Sequence, residues 1–286
     1  MMLFYTLVMN FLPAAFILVL PLIYLIAEKR RGNLLLRLGF GTSWKSKAPG
    51  EKRIWVHALS VGEVRSAIPL VKALRDGHGR AGIVFTASTR TGLEAARQAF
   101  LKPGKAMVDQ LGYFPFDFGY SVRKIARLIS PDAVIIVETD IWPNFLCGMK
   151  QRRIPVVLVN ARLSERSFKG YLRFKRFFST VFSWFAEIMV QSPLDAGRFQ
   201  ALGLSPEKIQ VTGNLKFDQA VEEGGDSFIP AMRERLAIRE KTLVLAAGST
   251  HEGEEDILFR VYQQLKPKYP DLVMILAPRD RGAAMP

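Results

Sequence analysis

Short, almost purely apolar runs alternate with amphipathic stretches from residue 54 onward, and this spacing leaves few folds open. Ile54-Trp55-Val56-His57, Ile83-Val84-Phe85-Thr86, Ala133 to Val137, Val156 to Val159 and Ile188-Met189-Val190 are too short for helices and do not alternate in polarity. Such runs suit parallel strands buried on both faces, and the amphipathic segments between them suit crossover helices. A helix is expected from about Gly62 to Leu74 and another through Ala95. The pattern predicts an α/β, doubly wound domain over residues 28–221, with ligands at the carboxyl ends of its strands. Glu222 to Ser227 (EEGGDS) reads as a linker. After it, a strand at Leu243 to Ala247, a helix from Glu254 to Leu265 and a strand at Leu272 to Leu276 form one strand-helix-strand unit within residues 222–286. One such unit can hardly cover both faces of its own sheet.

Residues 1–27 carry no charge and are followed by Glu28-Lys29-Arg30-Arg31. A run of roughly 20 apolar residues can span a bilayer. The basic cluster behind it places the remainder on the cytoplasmic face by the positive-inside rule. Pro13 and Pro21 also permit a kinked helix that enters one leaflet. With 40 Lys and Arg against 26 Asp and Glu, a formal charge of +14, the chain suits a polyanionic partner. The single cysteine, Cys147, excludes an internal disulfide and a cysteine zinc cluster. Three histidines leave little material for a histidine metal site. Neither a dinucleotide fingerprint nor a P-loop is present, and no nucleic-acid-binding motif occurs.

Six segments could carry chemistry. His57 to Glu63 (HALSVGE) ends a strand and opens a helix. Glu63 there is either a carboxylate placed to suit the helix dipole or a general base facing a cleft, and a helix N-terminus lowers its pKa and keeps it ionised. Glu138-Thr139-Asp140-Ile141-Trp142-Pro143-Asn144 follows the most apolar strand. Asp140 can cap the next helix with Pro143 in its first turn, whereas Glu138 has no such structural role. Asn160 to Ser167 (NARLSERS) leads into a basic aromatic helix, read either as inward aromatics with a solvated basic face or as a surface meeting anionic headgroups. In Gly213 to Asp218 (GNLKFD), Lys216 pairs with Asp218 or offers its cation to an anion. In Gly248-Ser249-Thr250-His251-Glu252, Ser249 and Glu252 form a capping box, or the turn cradles an anion with its amides. Pro278-Arg279 ends the last strand, where an arginine suits a phosphate.

Taken in order, HALSVGEV, TASTRTG (Thr86 to Gly92), YFPFD (Tyr113 to Asp117), VETDIWPN, VNARLSERS, GNLKFD and GSTHEGEE resemble the Kdo transferase family of lipopolysaccharide synthesis, from about Trp55 to Arg279. The resemblance implies a GT-B-like fold: a complete N-terminal Rossmann-like acceptor domain and the opening strand-helix-strand unit of a second, nucleotide-sugar-binding one. It implies transfer of Kdo from CMP-Kdo to the 6′-hydroxyl of lipid A precursor, with inversion and without a metal or other cofactor. The matching motifs make Glu63 the base, Glu138 a transition-state stabiliser and Lys216 a stabiliser of charge on the donor. Pro278 and Arg279 match a pair contacting CMP, and Ser249 and Thr250, in the turn that could cradle an anion, are expected to bind the donor as well. The location implied is the cytoplasmic face of the bacterial inner membrane. The family's second acid is Glu where this chain has Asp140. Family members continue well beyond the Pro-Arg pair, so the chain is also expected to be cut short within its nucleotide-binding half.

Overall fold

A computed structural model of the protein describes Tyr5 and residues 31–218, 228–236, 238, 239 and 241–279. The 1–27 segment expected as an anchor lies outside the described residues except for Tyr5. Among the described residues, no helix is long and apolar enough to cross a membrane. Tyr5 itself touches the globular part: its hydroxyl donates to Asp117 Oδ2 at 2.8 Å, and its ring lies 5.6 Å from that of Phe177. The chain divides into two units, 1–219 and 220–286.

In the first unit, α1 (Arg31–Arg37) precedes β1 (Arg53–Ala58), α2 (Val61–Ser66), α3 (Ile68–Gly77), β2 (Gly82–Ala87) and α4 (Arg90–Phe100). Next come β3 (Gln110–Tyr113), α5 (Gly119–Ile129), β4 (Ala133–Val137), α6 (Pro143–Gln151) and β5 (Val156–Ala161). The unit closes with α7 (Glu165–Arg173), α8 (Lys175–Phe182), β6 (Glu187–Val190), α9 (Pro193–Ala201), β7 (Ile209–Val211) and a 3₁₀ turn at Leu215–Asp218. The seven strands form one sheet in the order β3-β2-β1-β4-β5-β6-β7, and every pair is parallel. The order reverses between β1 and β4, the topological switch point at which doubly wound sheets open a crevice.

Successive strand residues point to opposite faces, and two cores result. Trp55, Val84, Val134, Ile136 and Leu158 join Ile125 of α5, Phe145 of α6 and Phe182 of α8 on one face. Val56, Phe85, Val137 and Val159 join Val64 of α2, Val71 of α3 and Phe100 of α4 on the other. Both faces are covered, which is why the strands read as unbroken apolar runs. Each fully buried side chain of this kind contributes about 1.5–3 kcal/mol.

The structure departs from the sequence reading in three places, and it decides between two readings in a fourth. The sheet has seven strands where five were expected in this unit, because β3 and the three-residue edge strand β7 lack an apolar run. The helix expected from Gly62 to Leu74 breaks into α2 and α3 at Ala67, since Pro69 has no amide to bond backward and sits in the first turn of α3. The basic aromatic helix breaks into α7 and α8 at Phe174. Its aromatic side chains face mostly inward: Phe182 and Phe185 are fully buried, Tyr171, Phe177, Phe178 and Trp184 pack on the core, and Phe174 stays 53% exposed.

The second unit holds α10 (Phe228–Arg235) and a β8 (Val244–Thr250), α11 (Glu254–Leu265), β9 (Val273–Pro278) motif with parallel strands. Among its described residues only Thr250 and Leu272 are buried, while Val244, Ile257, Phe259 and Val261 stand in solvent. Two strands and their helix thus leave apolar faces uncovered, as a single such unit must.

Candidate active site

The crevice at the switch point gathers segments that are far apart in sequence. Glu63 (from α2, after β1), Glu138 and Thr139 (after β4), and Arg162, Ser164, Ser167 and Tyr171 (after β5) line one cleft of about 240 Å³. β1 and β4 are adjacent strands, so their carboxyl ends bring the two carboxylates together.

Glu63 meets the geometric condition of both readings weighed for it. Its Oε2 accepts the Ser60 amide at 2.6 Å, closing the first turn of α2, and it still lines the cleft. The expected depression of its pKa is not what the structure gives. Burial raises it, and the charges of Glu138 and Asp140 add to that rise, outweighing the Ser60 amide. The helix end was the wrong dominant influence because the carboxyl is partly buried, and two further acids face it.

Glu138 adopts left-handed backbone geometry, φ 63°, uncommon for a residue with a side chain. Its amide donates to Val159 O at 2.8 Å, and Ser66 Oγ stands 3.5 Å from Oε1. Next to it, Thr139 Oγ1 donates to Arg162 O at 2.5 Å and accepts the Arg162 amide at 2.9 Å. This reciprocal pair joins the loops after β4 and β5 and sets an arginine beside the two acids.

Asp140 does not cap α6. It accepts Trp142 Nε1 at 2.7 Å and faces His57 Nε2 at 3.2 Å. His57 is fully buried and stacked on Phe114 at 3.7 Å between ring centres; its Nδ1 lies 3.0 Å from Thr86 O. Pro143 does occupy the first turn of α6. The cap comes instead from Asp117, 27 residues back along the chain. Its Oδ1 accepts the Phe145 amide at 2.7 Å, its Oδ2 the Asn144 amide at 3.0 Å, and its backbone oxygen accepts Asn144 Nδ2 at 2.6 Å. Burial pushes the Asp117 carboxyl up to about 6 against these donors.

Lys216 lies in the 3₁₀ turn and is exposed; among the described residues no ion pair joins it to Asp218. The turn is held from two sides. It packs against α2 and α3, where Leu215 meets their apolar core. On the other side, the Leu215 amide donates to Asn160 Oδ1 at 3.1 Å. Asn160 is 1% exposed, has φ 56°, and takes Gln191 Nε2 on its carbonyl at 3.0 Å.

Within the second unit, Ser249 and Thr250 end β8 and Pro278 and Arg279 end β9. The register aligns Thr250 with Pro278, and the Arg279 amide donates to Thr250 O at 3.1 Å. Ser249 is left-handed, φ 61°. The capping box of Ser249 and Glu252 does not form: α11 starts after Gly253, and Glu254 Oε2 accepts the His251 amide at 2.9 Å. Arg279 Nη1 lies 3.4 Å from His251 Nε2. Among the described residues, no group of three or more His, Cys, Asp or Glu side chains is placed to hold a metal ion.

Sequence reasoning did not single out Arg162, Tyr171, Asp117 or Asn160. All four lie in segments that were noted, but only the folded geometry separates them from their neighbours.

A family model described as 3-deoxy-D-manno-octulosonic-acid transferase matches residues 33–219. A 3-deoxy-D-manno-octulosonic acid transferase of Haemophilus influenzae is 34% identical over 253 residues, covering 88% of this chain and 57% of the relative. One of Chlamydophila psittaci is 31% identical, covering 90% of this chain and 58% of its own length. A bifunctional glycosyltransferase/methyltransferase of Fusobacterium nucleatum is 33% identical, with 80% of this chain and 34% of the relative covered. The chain therefore spans a little over half the length of the first and second of these. Among solved structures, the UDP-GlcNAc 2-epimerase of Neisseria meningitidis superposes with a TM-score of 0.55 at 16% identity, over 78% of this chain and 64% of its own. A glycosyltransferase of Rickettsia africae does so at 0.53 and 10% identity, over 81% and 69%. These likenesses speak for the fold alone, an α/β, GT-B-like architecture with a parallel sheet.

Proposed function

The chain belongs to the 3-deoxy-D-manno-octulosonic-acid (Kdo) transferase family, and from that premise we propose that it serves transfer of Kdo from CMP-Kdo to the 6′-hydroxyl of lipid A precursor (lipid IVA). The observation that carries this reading is the pair of carboxylates, Glu63 and Glu138, sharing a cleft at the switch point, with burial and mutual repulsion raising the pKa of Glu63. A carboxylate raised toward neutrality is a better proton acceptor than an ordinary surface acid.

In this reading Glu63 takes the proton of the glucosamine 6′-hydroxyl as its oxygen bonds to the anomeric carbon of Kdo. The bond from that carbon to the CMP phosphate oxygen breaks on the opposite face, CMP leaves with the electron pair, and the configuration inverts. Glu138 stabilises positive charge developing on the sugar, and Lys216 stabilises negative charge on the donor. Ser249, Thr250, Pro278 and Arg279 hold CMP. No metal or other cofactor takes part. The work is done at the cytoplasmic face of the bacterial inner membrane, with the anionic surface attracting the basic chain.

The test is Kdo transfer from CMP-Kdo to a tetra-acylated lipid A precursor. It is run with this chain, and with its residues 1–219 joined to the remainder of the Haemophilus influenzae relative. Product from either that disappears with Glu63→Ala is expected. Product that survives Glu63→Ala removes the base assignment, and no product from either protein overturns the activity.

A further inference from the structure

A second concavity opens on the far side of α7 from the candidate active site. Ser164, Ser167 and Tyr171 face the cleft that holds Glu63, whereas Phe168, Leu172, Pro193, Leu194 and Gly197 wall a groove of about 600 Å³ between α7 and α9. Phe168 and Leu172 lie four apart, on one face of α7. The volume falls within the roughly 300–1,000 Å³ usual for small-molecule sites.

Two features mark the groove as unfilled by the fold itself. Leu194 is 64% exposed and Leu172 37%, two apolar side chains left in water side by side. Gly197 sits inside α9, where glycine is a poor helix former, and a Cβ built on it meets nothing within 4 Å. The surrounding charge is one-sided. Of the groove's own lining, Lys169 and Arg198 are cations and the one acid, Glu165, is engaged with Lys169 at 2.7 Å; Arg166, Arg173, Lys175 and Arg176 are exposed elsewhere along α7 and α8.

We infer that this groove is an acyl subsite: it seats one hydrocarbon chain of an anionic, phosphate-bearing glycolipid whose head group reacts on the other side of α7. This rests on the acceptor proposed above. A ligand with an anionic head and apolar tails matches both the basic rim and the apolar trough, and α7 alone separates the tail from the reacting hydroxyl.

The experiment compares binding, so it does not depend on turnover. The probes are a monomeric, short-chain acylated diphospho-glucosamine disaccharide and its fully deacylated parent, each titrated against the full chain. Phosphatidylglycerol vesicles without glycolipid form a third arm. Each methylene that leaves water is worth about fourfold in affinity, so a few of them favour the acylated probe more than about tenfold. Gly197→Leu fills the trough from open space and keeps α9 helical, so it is expected to fold. It should erase the acyl preference and leave the affinity for the parent unchanged. Leu194→Glu should do the same, and Leu128→Glu, an exposed leucine on α5, should change neither. A preference that survives Gly197→Leu, or one lost equally in Leu128→Glu, overturns the subsite. Vesicle binding that falls in Gly197→Leu while the probe preference stands would make the trough a general membrane contact and also overturn it. A parent that does not bind at all overturns the acceptor reading, a separate failure.

Discussion

Removing the Asp117 side chain should destabilise the first unit, and by more in acid than at neutral pH. The carboxylate accepts the Asn144 and Phe145 amides at the start of α6, a helix whose own N-cap residue, Trp142, supplies no side-chain bond. In Asp117→Ala both amides stay buried without an acceptor, at about 1–3 kcal/mol each. Opposing this is the cost of keeping the carboxylate ionised when buried. A rise from 3.8 to about 6 converts to about 3 kcal/mol. The folded chain keeps the Asp117 proton up to about pH 6, whereas the unfolded chain loses it near 3.8. Between these values the folded state binds more protons, so wild-type stability from this group falls as pH rises and is fully lost above about 6. The variant has no such dependence. Its deficit against wild type should therefore shrink by up to about 3 kcal/mol between about pH 4 and about pH 7.5. Urea unfolding in non-ionic micelles, followed by tryptophan fluorescence across that range, measures it. A deficit that grows toward neutral pH would refute the argument, because the three donors would then be holding the carboxylate ionised against its burial.

Two further outcomes are expected. Glu138→Gln removes a like charge beside Glu63, so the Glu63 carboxyl should titrate at lower pH than in wild type; side-chain NMR of labelled glutamate reads this directly, and an unchanged or raised midpoint contradicts it. Asn160→Ala removes the acceptor of the Leu215 amide and places a β-carbon-bearing residue with no side-chain acceptor at φ 56°; exchange of the Leu215 amide with solvent deuterium should accelerate by about tenfold, the equivalent of one hydrogen bond, whereas unchanged protection would mean that packing against α2 and α3 alone holds the turn.

The parallel sheet was readable in advance because burial on both faces demands unbroken apolar runs, as in Ala133 to Val137. β3 was not, because its Gln110-Leu111-Gly112-Tyr113 run has no apolar signature and becomes a strand only through its pairing with β2. The break at Ala67 had a local cause in Pro69, visible in the sequence but outweighed by the helical periodicity around it. Strand ends pointed to Glu63 and Glu138 separately; that they share a cleft depends on β1 lying beside β4, which is a matter of strand order. The direction of the Glu63 shift was hidden for the same reason, since the burial that raises it and the two acids that add to it come with segments after other strands. Asp117 was visible only as a letter in YFPFD, because the amides it accepts belong to a helix that begins 26 residues later.

The turn carrying Lys216 is fastened to the helix that carries Glu63 and to the strand end that carries Asn160. The chain passes out of the first unit just beyond it, after Gln219. The cation and the carboxylate proposed above for opposite partners of one reaction thus belong to one unit. Their spacing is set by contacts within that unit and needs nothing from residues beyond 219.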